Sequence, residues 1–145
     1  MLNCRLKKEP PGFPGLIHGM SHPPCRRTIL VVEDEFFIRM SAAAALQDEG
    51  FLVLEARNSA DALVVLSQHS ETSILMTDVR MPGSMDGLAL IAQVHIDHPE
   101  ICSIVVSGNA SAQQARNAGA SGFVAKPYLV KTMVQAVNDC AAALG

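Results

Sequence analysis

Five polar side chains follow directly on runs of apolar residues, and their types suit phosphoryl or metal chemistry. Glu33 and Asp34 follow "TILVV", Asp78 follows "SILMT", Ser107 follows "CSIVV" and Lys126 follows "GFVA". Carboxylates are typical ligands of Mg²⁺, which usually takes one or two of them together with waters and phosphate oxygens. Neighbouring carboxylates also raise one another's pKa, so a divalent cation between them relieves their repulsion.

The same set contains the parts of a phosphoryl-transfer site. An aspartate carboxylate such as that of Asp78 can act as a nucleophile and form an aspartyl phosphate. The transferred group needs cationic and hydrogen-bonding partners at its equatorial oxygens. Lys126 offers a point charge and Ser107 a hydroxyl donor. The set therefore predicts phosphoryl transfer, provided that the fold brings these residues together.

The segments that carry these side chains alternate between strand and helix patterns. Strand patterns cover residues 28–33, 51–56, 73–78, 102–107 and 122–126, and helical patterns cover 35–48, 58–69, 85–97, 111–119 and 129–144. Asn58 or Ser59 is the expected N-cap of the second helix and Asp86 that of the third. Five β–α units predict a parallel sheet with helices on both faces. Such a sheet binds its ligand at the carboxyl ends of the strands, where the five polar residues stand.

Composition excludes several other classes of protein. The net charge of -3 gives no attraction to nucleic acid, so we expect no nucleic-acid partner. No apolar run reaches the ~18 residues that span a bilayer, so we expect no membrane association. The four cysteines form no C-x-x-C pair, which disfavours a zinc site and favours a reducing cytoplasm. Cys102 lies in an apolar run and is interpreted as a small core residue.

Residues 1–27 differ from the rest of the chain. Five of the eight prolines fall there, together with Gly12, Gly15 and Gly19. This composition predicts a disordered or extended leader before a folded domain at residues 28–145. Met20 offers a second interpretation, in which the native protein starts at that residue.

Four blocks in register give the chain a family resemblance. "ILVVEDE", "MTDVRMPGSMDG", "VVSGNA" and "FVAKPY" resemble the signature blocks of response-regulator receiver domains, and the match covers nearly all of residues 28–142. The resemblance implies a flavodoxin-like, doubly wound five-stranded parallel sheet with strand order 2-1-3-4-5 and five helices. It also implies a stand-alone receiver of two-component signalling in the cytoplasm.

The resemblance implies a role for each matching residue. Asp78 would be the phospho-acceptor, and Lys126 would pair with its phosphorylated carboxylate. Ser107 would be the switch hydroxyl and Phe123 the aromatic switch residue. The expected Mg²⁺ ligands are Glu33 (through a water), Asp34, Asp78 and the backbone carbonyl of Arg80, and Pro127 would follow a cis bond. The chain departs from the common pattern in having Glu rather than Asp at position 33, Ser rather than Thr at 107, no hydroxyl on Phe123 and a longer "MPGSMDG" loop.

The implied function is that of a phosphorylatable signalling module rather than an enzyme. A histidine kinase or histidine phosphotransfer protein would donate the phosphoryl group, and an unknown downstream protein would bind a face formed by helix four, strand five and helix five. A receiver fragment of a larger hybrid kinase or regulator is one alternative. A Mg²⁺-dependent phosphatase with an aspartate nucleophile is another, but that class has a second Asp two residues after the nucleophile, and Arg80 stands there.

Several neighbouring residues are predicted to have structural roles only. Glu35 is expected to face solvent in the first helical turn, and Phe36 and Phe37 are expected to be core and helix-packing residues. His95, Asp97 and His98 are interpreted as a solvated surface rather than a metal site.

Overall fold

The computed structural model describes residues 26–145, with five strands and five helices in strict alternation. The strands are β1 (Thr28–Val32), β2 (Leu52–Ala56), β3 (Thr72–Asp78), β4 (Cys102–Ser107) and β5 (Gly122–Ala125). The helices are α1 (Phe36–Asp48), α2 (Ser59–Gln68), α3 (Gly87–Asp97), α4 (Ala112–Ala118) and α5 (Val130–Ala143). The predicted leader lies outside the described residues, apart from its last two positions.

All five strands are parallel and form one sheet in the order β2-β1-β3-β4-β5. The predicted flavodoxin-like fold and strand order are therefore confirmed. The register pairs Val32 of β1 with Thr77 of β3, and Asp78 of β3 with Val106 of β4. The carboxyl ends of these three strands consequently meet at one edge of the sheet.

Helices cover both faces of the sheet, which explains why β1 is apolar throughout instead of alternating. Ile29 and Val31 belong to a core cluster shared with α1 and α5. Leu30 and Val32 belong to a second cluster, shared with α2, α3 and α4. Every residue of β1 is buried as a result.

Helix caps and strand ends lie close to their predicted positions. The side chain of Asn58 accepts a hydrogen bond from the backbone N–H of Asp61, and that of Asp86 from the N–H of Ala89, each at 2.8 Å. Strands β1 and β5 end one residue earlier than the sequence predicted. Glu33 and Lys126 are therefore the first residues beyond their strands, although their backbone N–H groups still donate to the carbonyls of Ala56 and Ser107, at 3.1 and 3.0 Å.

The prediction that Phe36 and Phe37 pack in the core is wrong. They are 59% and 74% exposed and form the first two positions of α1. The buried positions of α1 are Ala42, Ala43 and Leu46, all in its second half, so the first turn has no core beneath it. The two phenylalanine rings instead contact each other edge to face, with centroids 5.4 Å apart.

Cys102 is a buried core residue as predicted, but its bonding differs from the expectation of a free thiol. The structure joins it by a disulfide to Cys140 of α5, 38 residues later in the chain. The wide spacing of the cysteines in the sequence concealed this proximity, which depends on α5 packing back against β4.

Candidate functional site

Three carboxylates converge at the carboxyl edge of the sheet. Glu33 and Asp34 lie in the loop after β1, and Asp78 is the last residue of β3. One oxygen from each of these three side chains lies within 4.8 Å of the others. Glu33 is buried, Asp78 is partly buried and Asp34 is exposed, so the cluster opens to solvent on the Asp34 side.

Lys126 bridges two of these carboxylates. Its Nζ donates to Asp78 Oδ2 at 2.7 Å and to Glu33 Oε2 at 3.3 Å. Burial disfavours the charged ammonium, but the hydrogen bond and negative charge of Asp78, together with those of Glu33, outweigh it and raise the pKa of Lys126. The lysine therefore stays protonated and supplies a fixed positive charge beside Asp78.

Glu33 is held in place from both its side chain and its backbone. Its Oε1 accepts a hydrogen bond from the backbone N–H of Glu35 at 3.2 Å. Burial raises the pKa of Glu33, and the Glu35 hydrogen bond and the Lys126 charge oppose this without cancelling it. The backbone carbonyl of Glu33 accepts a 2.7 Å hydrogen bond from Arg39, whose Nε lies 3.3 Å from a carboxylate oxygen of Glu55.

Sequence reasoning missed Arg39 of α1, whose hydrogen bond to the Glu33 carbonyl connects this helix to the loop that contains Glu33 and Asp34. A signal was present, because Arg39 is the only basic residue within the helical run "FFIRMSAAAALQD". Its guanidinium also lies over the Phe36 ring, 5.7 Å from the centroid. The Arg39 side chain is only 15% exposed, so its role is to hold the loop after β1 in position rather than to present a charge to solvent.

Asp78 is positioned by the turn that follows it. Its Oδ1 accepts a hydrogen bond from the N–H of Val79 at 2.7 Å, which leaves Oδ2 to face Lys126. Gly87, the first residue of α3, packs against this turn and donates its N–H to the Val79 carbonyl at 2.9 Å. A Cβ on Gly87 would lie 1.9 Å from the Asp78 carbonyl oxygen, so no side chain fits there. This requirement was also missed, although "MDG" before an apolar helical run pointed to it.

Ser107 ends β4 next to the strand that carries Asp78. It lies one residue beyond Val106, the register partner of Asp78, and it is buried. Its Oγ accepts hydrogen bonds from the N–H groups of Asn109 and Ala110, at 3.1 and 2.9 Å. The hydroxyl therefore fixes the start of the loop after β4 through its oxygen.

The other predicted site residues occupy the surrounding positions. Phe123 is a half-buried residue of β5 that packs against the α2–α4 core cluster. The Lys126–Pro127 bond is cis, as predicted. Arg80 is exposed two residues after β3, and the role of its carbonyl stays a prediction. Tyr128, which was not among the predicted site residues, lines a small cavity together with Glu33 and Asp78. Burial raises the pKa of Tyr128, and the positive charge of Lys126 acts in the opposite direction.

The donor set fits a hard divalent cation. Its members offer oxygen atoms only, which suits Mg²⁺ and disfavours softer metals that prefer nitrogen or sulfur. Within residues 26–145, this is the one group of three or more metal-binding side chains, so the His95, Asp97 and His98 region forms no such cluster. In the same part of the chain, no helix has both the length and the apolar character needed to cross a membrane.

Comparison with known proteins identifies the relatives of this architecture. Residues 29–138 match the family described as "Response regulator receiver domain". The chain is 39% identical over 116 residues to "Sensor kinase CckA" of Brucella abortus, covering 77% of this chain and 12% of that protein. It is 36% identical over 104 residues to "Putative response regulator NtrX-like" of Rickettsia bellii, covering 69% of this chain and 22% of that protein.

A solved structure gives the same result for the fold. The crystal structure of a CheY-like response regulator receiver domain protein from Methanospirillum hungatei superposes with a TM-score of 0.75 at 25% identity, covering 82% of this chain and 96% of that one. By contrast, this chain spans only a small part of the two curated relatives named above.

Proposed function

Because the chain belongs to the family of response regulator receiver domains of two-component systems, we propose that it accepts a phosphoryl group on Asp78. The donor would be a histidine kinase or a histidine phosphotransfer protein. One observation carries the proposal: Asp78 Oδ2 lies 2.7 Å from the Lys126 ammonium, in a cluster with two further carboxylates. A nucleophilic carboxylate with a fixed cation beside it is what formation of an aspartyl phosphate requires.

Glu33, Asp34 and Asp78 are the side chains that would hold Mg²⁺, with the Arg80 carbonyl as the further ligand that the family resemblance implies. When bound, the ion would neutralise negative charge on the carboxylates and on the transferring phosphoryl group. Support for this assignment comes from the oxygen-only donor set and from the convergence of the three carboxylates, whose oxygens lie within 4.8 Å of one another.

The side chains of the site then have distinct tasks. The Asp78 carboxylate attacks phosphorus while the bond from phosphorus to the donor's histidine nitrogen breaks, so the imidazole leaves with the donor protein. Lys126 stays protonated to balance the negative charge that accumulates at Asp78. The Ser107 oxygen is occupied by two backbone N–H groups, so its hydroxyl proton is left to donate to a phosphoryl oxygen. Movement of Ser107 toward that oxygen would pull the loop after β4 and let Phe123 repack. The result is a shift of the α4–β5–α5 face between two states.

The composition of α4 supports an easily altered face. Helix α4 is short, covering Ala112–Ala118, and Ala115 is its one buried residue. Few buried apolar contacts make local opening inexpensive. Hydrogen exchange in α4 should therefore be faster than in β1 and β3; equal protection in all three elements would count against this part of the proposal.

The wider setting follows from the same proposal. The module acts in the cytoplasm, binds no nucleic acid itself, and works through a downstream protein rather than as an enzyme, apart from its own phosphorylation and slow dephosphorylation. Two settings fit this module, a stand-alone receiver and the receiver part of a larger kinase or regulator, and the two curated relatives named above are much longer than this chain. An aspartate-based phosphatase is disfavoured because Arg80 stands where that class has its second Asp.

Intact mass spectrometry tests the central step. The protein is incubated with Mg²⁺ and a small acyl phosphate, and one phosphoryl adduct is expected. Asp78→Asn should abolish the adduct, whereas Asp97→Asn, a matched change at an exposed aspartate of α3, should retain it. An adduct of undiminished yield on Asp78→Asn, or none on the unaltered protein, would overturn the proposal.

A further inference from the structure

The two cysteines of the folded domain meet at a place far from the phosphoryl site. Cys102 is the first residue of β4 and Cys140 lies in the second half of α5. Their Cα atoms are 6.1 Å apart, within the ~4.4–6.8 Å that a disulfide requires. They are only 8% and 5% exposed, and the structure joins them by a disulfide.

The core around this pair is complete with or without the bond. Both cysteines belong to the apolar cluster that includes Ile104, Met133 and Val137. A free cysteine behaves as a small apolar side chain, so two thiols can occupy the same positions without introducing an unsatisfied charge or hydrogen bond. On reduction the two sulfur atoms must separate to van der Waals contact, which rotation of the cysteine side chains supplies within the same fold.

We propose that Cys102 and Cys140 form a reversible thiol–disulfide site whose oxidation state sets the mobility of α5. The oxidant is a small-molecule disulfide of the glutathione class. One cysteine thiolate attacks it, forming a mixed disulfide and releasing one small thiol, and the second cysteine thiolate then displaces the other small thiol. Two protein thiols are oxidised to one disulfide while the small disulfide is reduced to two thiols. A dithiol reductant reverses the exchange.

The position of the bond determines what it controls. Ser107, at the other end of β4, is five residues from Cys102, or about 16 Å at ~3.3 Å per residue. The bond thus fixes α5 to the edge of the sheet opposite the phosphoryl site. When the bond opens, α5 remains packed on the core through its other buried residues, Met133 and Val137.

Burial of both sulfur atoms sets the rate of the exchange. A buried thiol is protected until its surroundings open, so the small disulfide must wait for local opening of α5. Oxidation should consequently be slow compared with that of an exposed thiol. Once formed, the bond should slow amide hydrogen exchange in residues 137–141 by on the order of tenfold, because the tethered helix opens less often.

The test uses the full chain carrying Cys4→Ser and Cys25→Ser, so that only this pair remains. The protein is equilibrated in glutathione buffers of stepped ratio, quenched in acid, denatured and alkylated, and thiols are counted by intact mass. We expect two alkylated thiols in the most reducing buffer, none in the most oxidising one, and a single transition between them. Cys140→Ser in the same background is the control, because its Cys102 has no second cysteine with which to form an internal disulfide.

Three results would overturn the proposal. Two alkylated thiols in every buffer would mean that the bond does not form, and none after prolonged exposure to reductant under native conditions would mean a permanent cross-link. Hydrogen exchange is then compared between the oxidised and reduced forms, which requires no substitution at the pair. Equal exchange in residues 137–141 would refute control of α5 mobility. These readouts are independent of phosphorylation, so they can fail while the proposed function stands.

Discussion

Replacing Lys126 by methionine removes the one cation that hydrogen-bonds both Asp78 and Glu33, and it keeps most of the apolar stem. In the metal-free protein the three carboxylates would then face one another without that counter-charge. The 2.7 and 3.3 Å contacts show how closely the ammonium is engaged. We therefore expect Lys126→Met to lower the free energy of unfolding when no divalent cation is present.

The size of this loss follows from the burial of the partners. The Lys126 side chain is 26% exposed, that of Asp78 12% and that of Glu33 8%. Exposed ion pairs contribute ~0–1 kcal/mol, whereas removing one partner of a buried pair costs ~3–5 kcal/mol. An intermediate value of ~2 kcal/mol is expected here, which is a fall in Tm of roughly 8 °C for a domain of this size.

Magnesium should reverse most of that loss. A ligand that binds only the folded state at a hundred times its Kd stabilises it by about 2.7 kcal/mol. In the variant, the ion replaces the lost positive charge, and it no longer competes with the ammonium for Asp78 and Glu33. The rise in Tm on adding Mg²⁺ should therefore be larger for Lys126→Met than for the unaltered protein.

Thermal unfolding followed by far-UV circular dichroism, in a chelator and in Mg²⁺, measures both effects. Lys131→Met is the matched control, because Lys131 is an exposed residue of α5 with no ion pair among the described residues. The control should change Tm little in either buffer. Equal Tm values for Lys126→Met and the control in chelator, or equal gains on adding Mg²⁺, would refute the electrostatic account of the site.

Three further changes test other parts of the site. Gly87→Ala would place a methyl group 1.9 Å from the Asp78 carbonyl oxygen; we expect about 2 kcal/mol less stability in thermal unfolding and a reduced phosphoryl adduct by intact mass. Burial raises the pKa of Glu33 above its usual value of 4.5, so the folded protein binds a proton at Glu33 more tightly than the unfolded chain does. Protonated Glu33 therefore contributes to the free energy of unfolding. This contribution is complete below pH 4.5 and is lost as the pH rises through the raised pKa. Glu33→Gln should remove that decline in melts recorded in chelator, and an unchanged slope would contradict the assignment. Arg39→Gln removes the hydrogen bond to the Glu33 carbonyl and should weaken Mg²⁺ binding roughly tenfold. The titration can be followed by the fluorescence of Tyr128, the only tyrosine in a chain without tryptophan. An unaltered Mg²⁺ affinity would exclude a positioning role for Arg39.

The fold was predictable because its local signals agree with one another. The strand runs are short and rich in apolar residues, and helical runs are bounded by residues that cap or stop them, such as Asn58, Asp86 or Gly50. The polar residues stood at strand ends, so the parallel arrangement alone was enough to bring them to one edge. The ends of β1 and β5 differ from the predicted ends by one residue only, and Glu33 and Lys126 still donate backbone hydrogen bonds to the neighbouring strands.

Three other features that sequence missed depend on how elements pack in the folded chain. Phe36 and Phe37 have side chains typical of a core, but α1 buries its alanines instead. Which residues of α1 are buried depends on how closely the helix approaches the sheet. The closeness of Gly87 to the Asp78 carbonyl arises where α3 folds back on the turn after β3. The pairing of Cys102 with Cys140 needs α5 to return to β4. The exposure of the phenylalanines and the cysteine pairing cannot be read from spacing along the chain, whereas "MDG" before an apolar helical run was a usable sign for Gly87.

The charges of the site connect its resting structure to the proposed switch. With all groups ionised, three carboxylates and one ammonium leave a net charge of -2, which one divalent cation balances. A phosphoryl group carries a charge of about -1.5 to -2 but consumes the carboxylate charge of Asp78 on bonding, so the balanced site gains roughly one negative charge or less. Lys126 is already engaged before that charge arrives. The added charge must therefore be met by a new donor, and the Ser107 hydroxyl, beside the β4 partner of Asp78, is placed to supply it by moving the loop that it anchors.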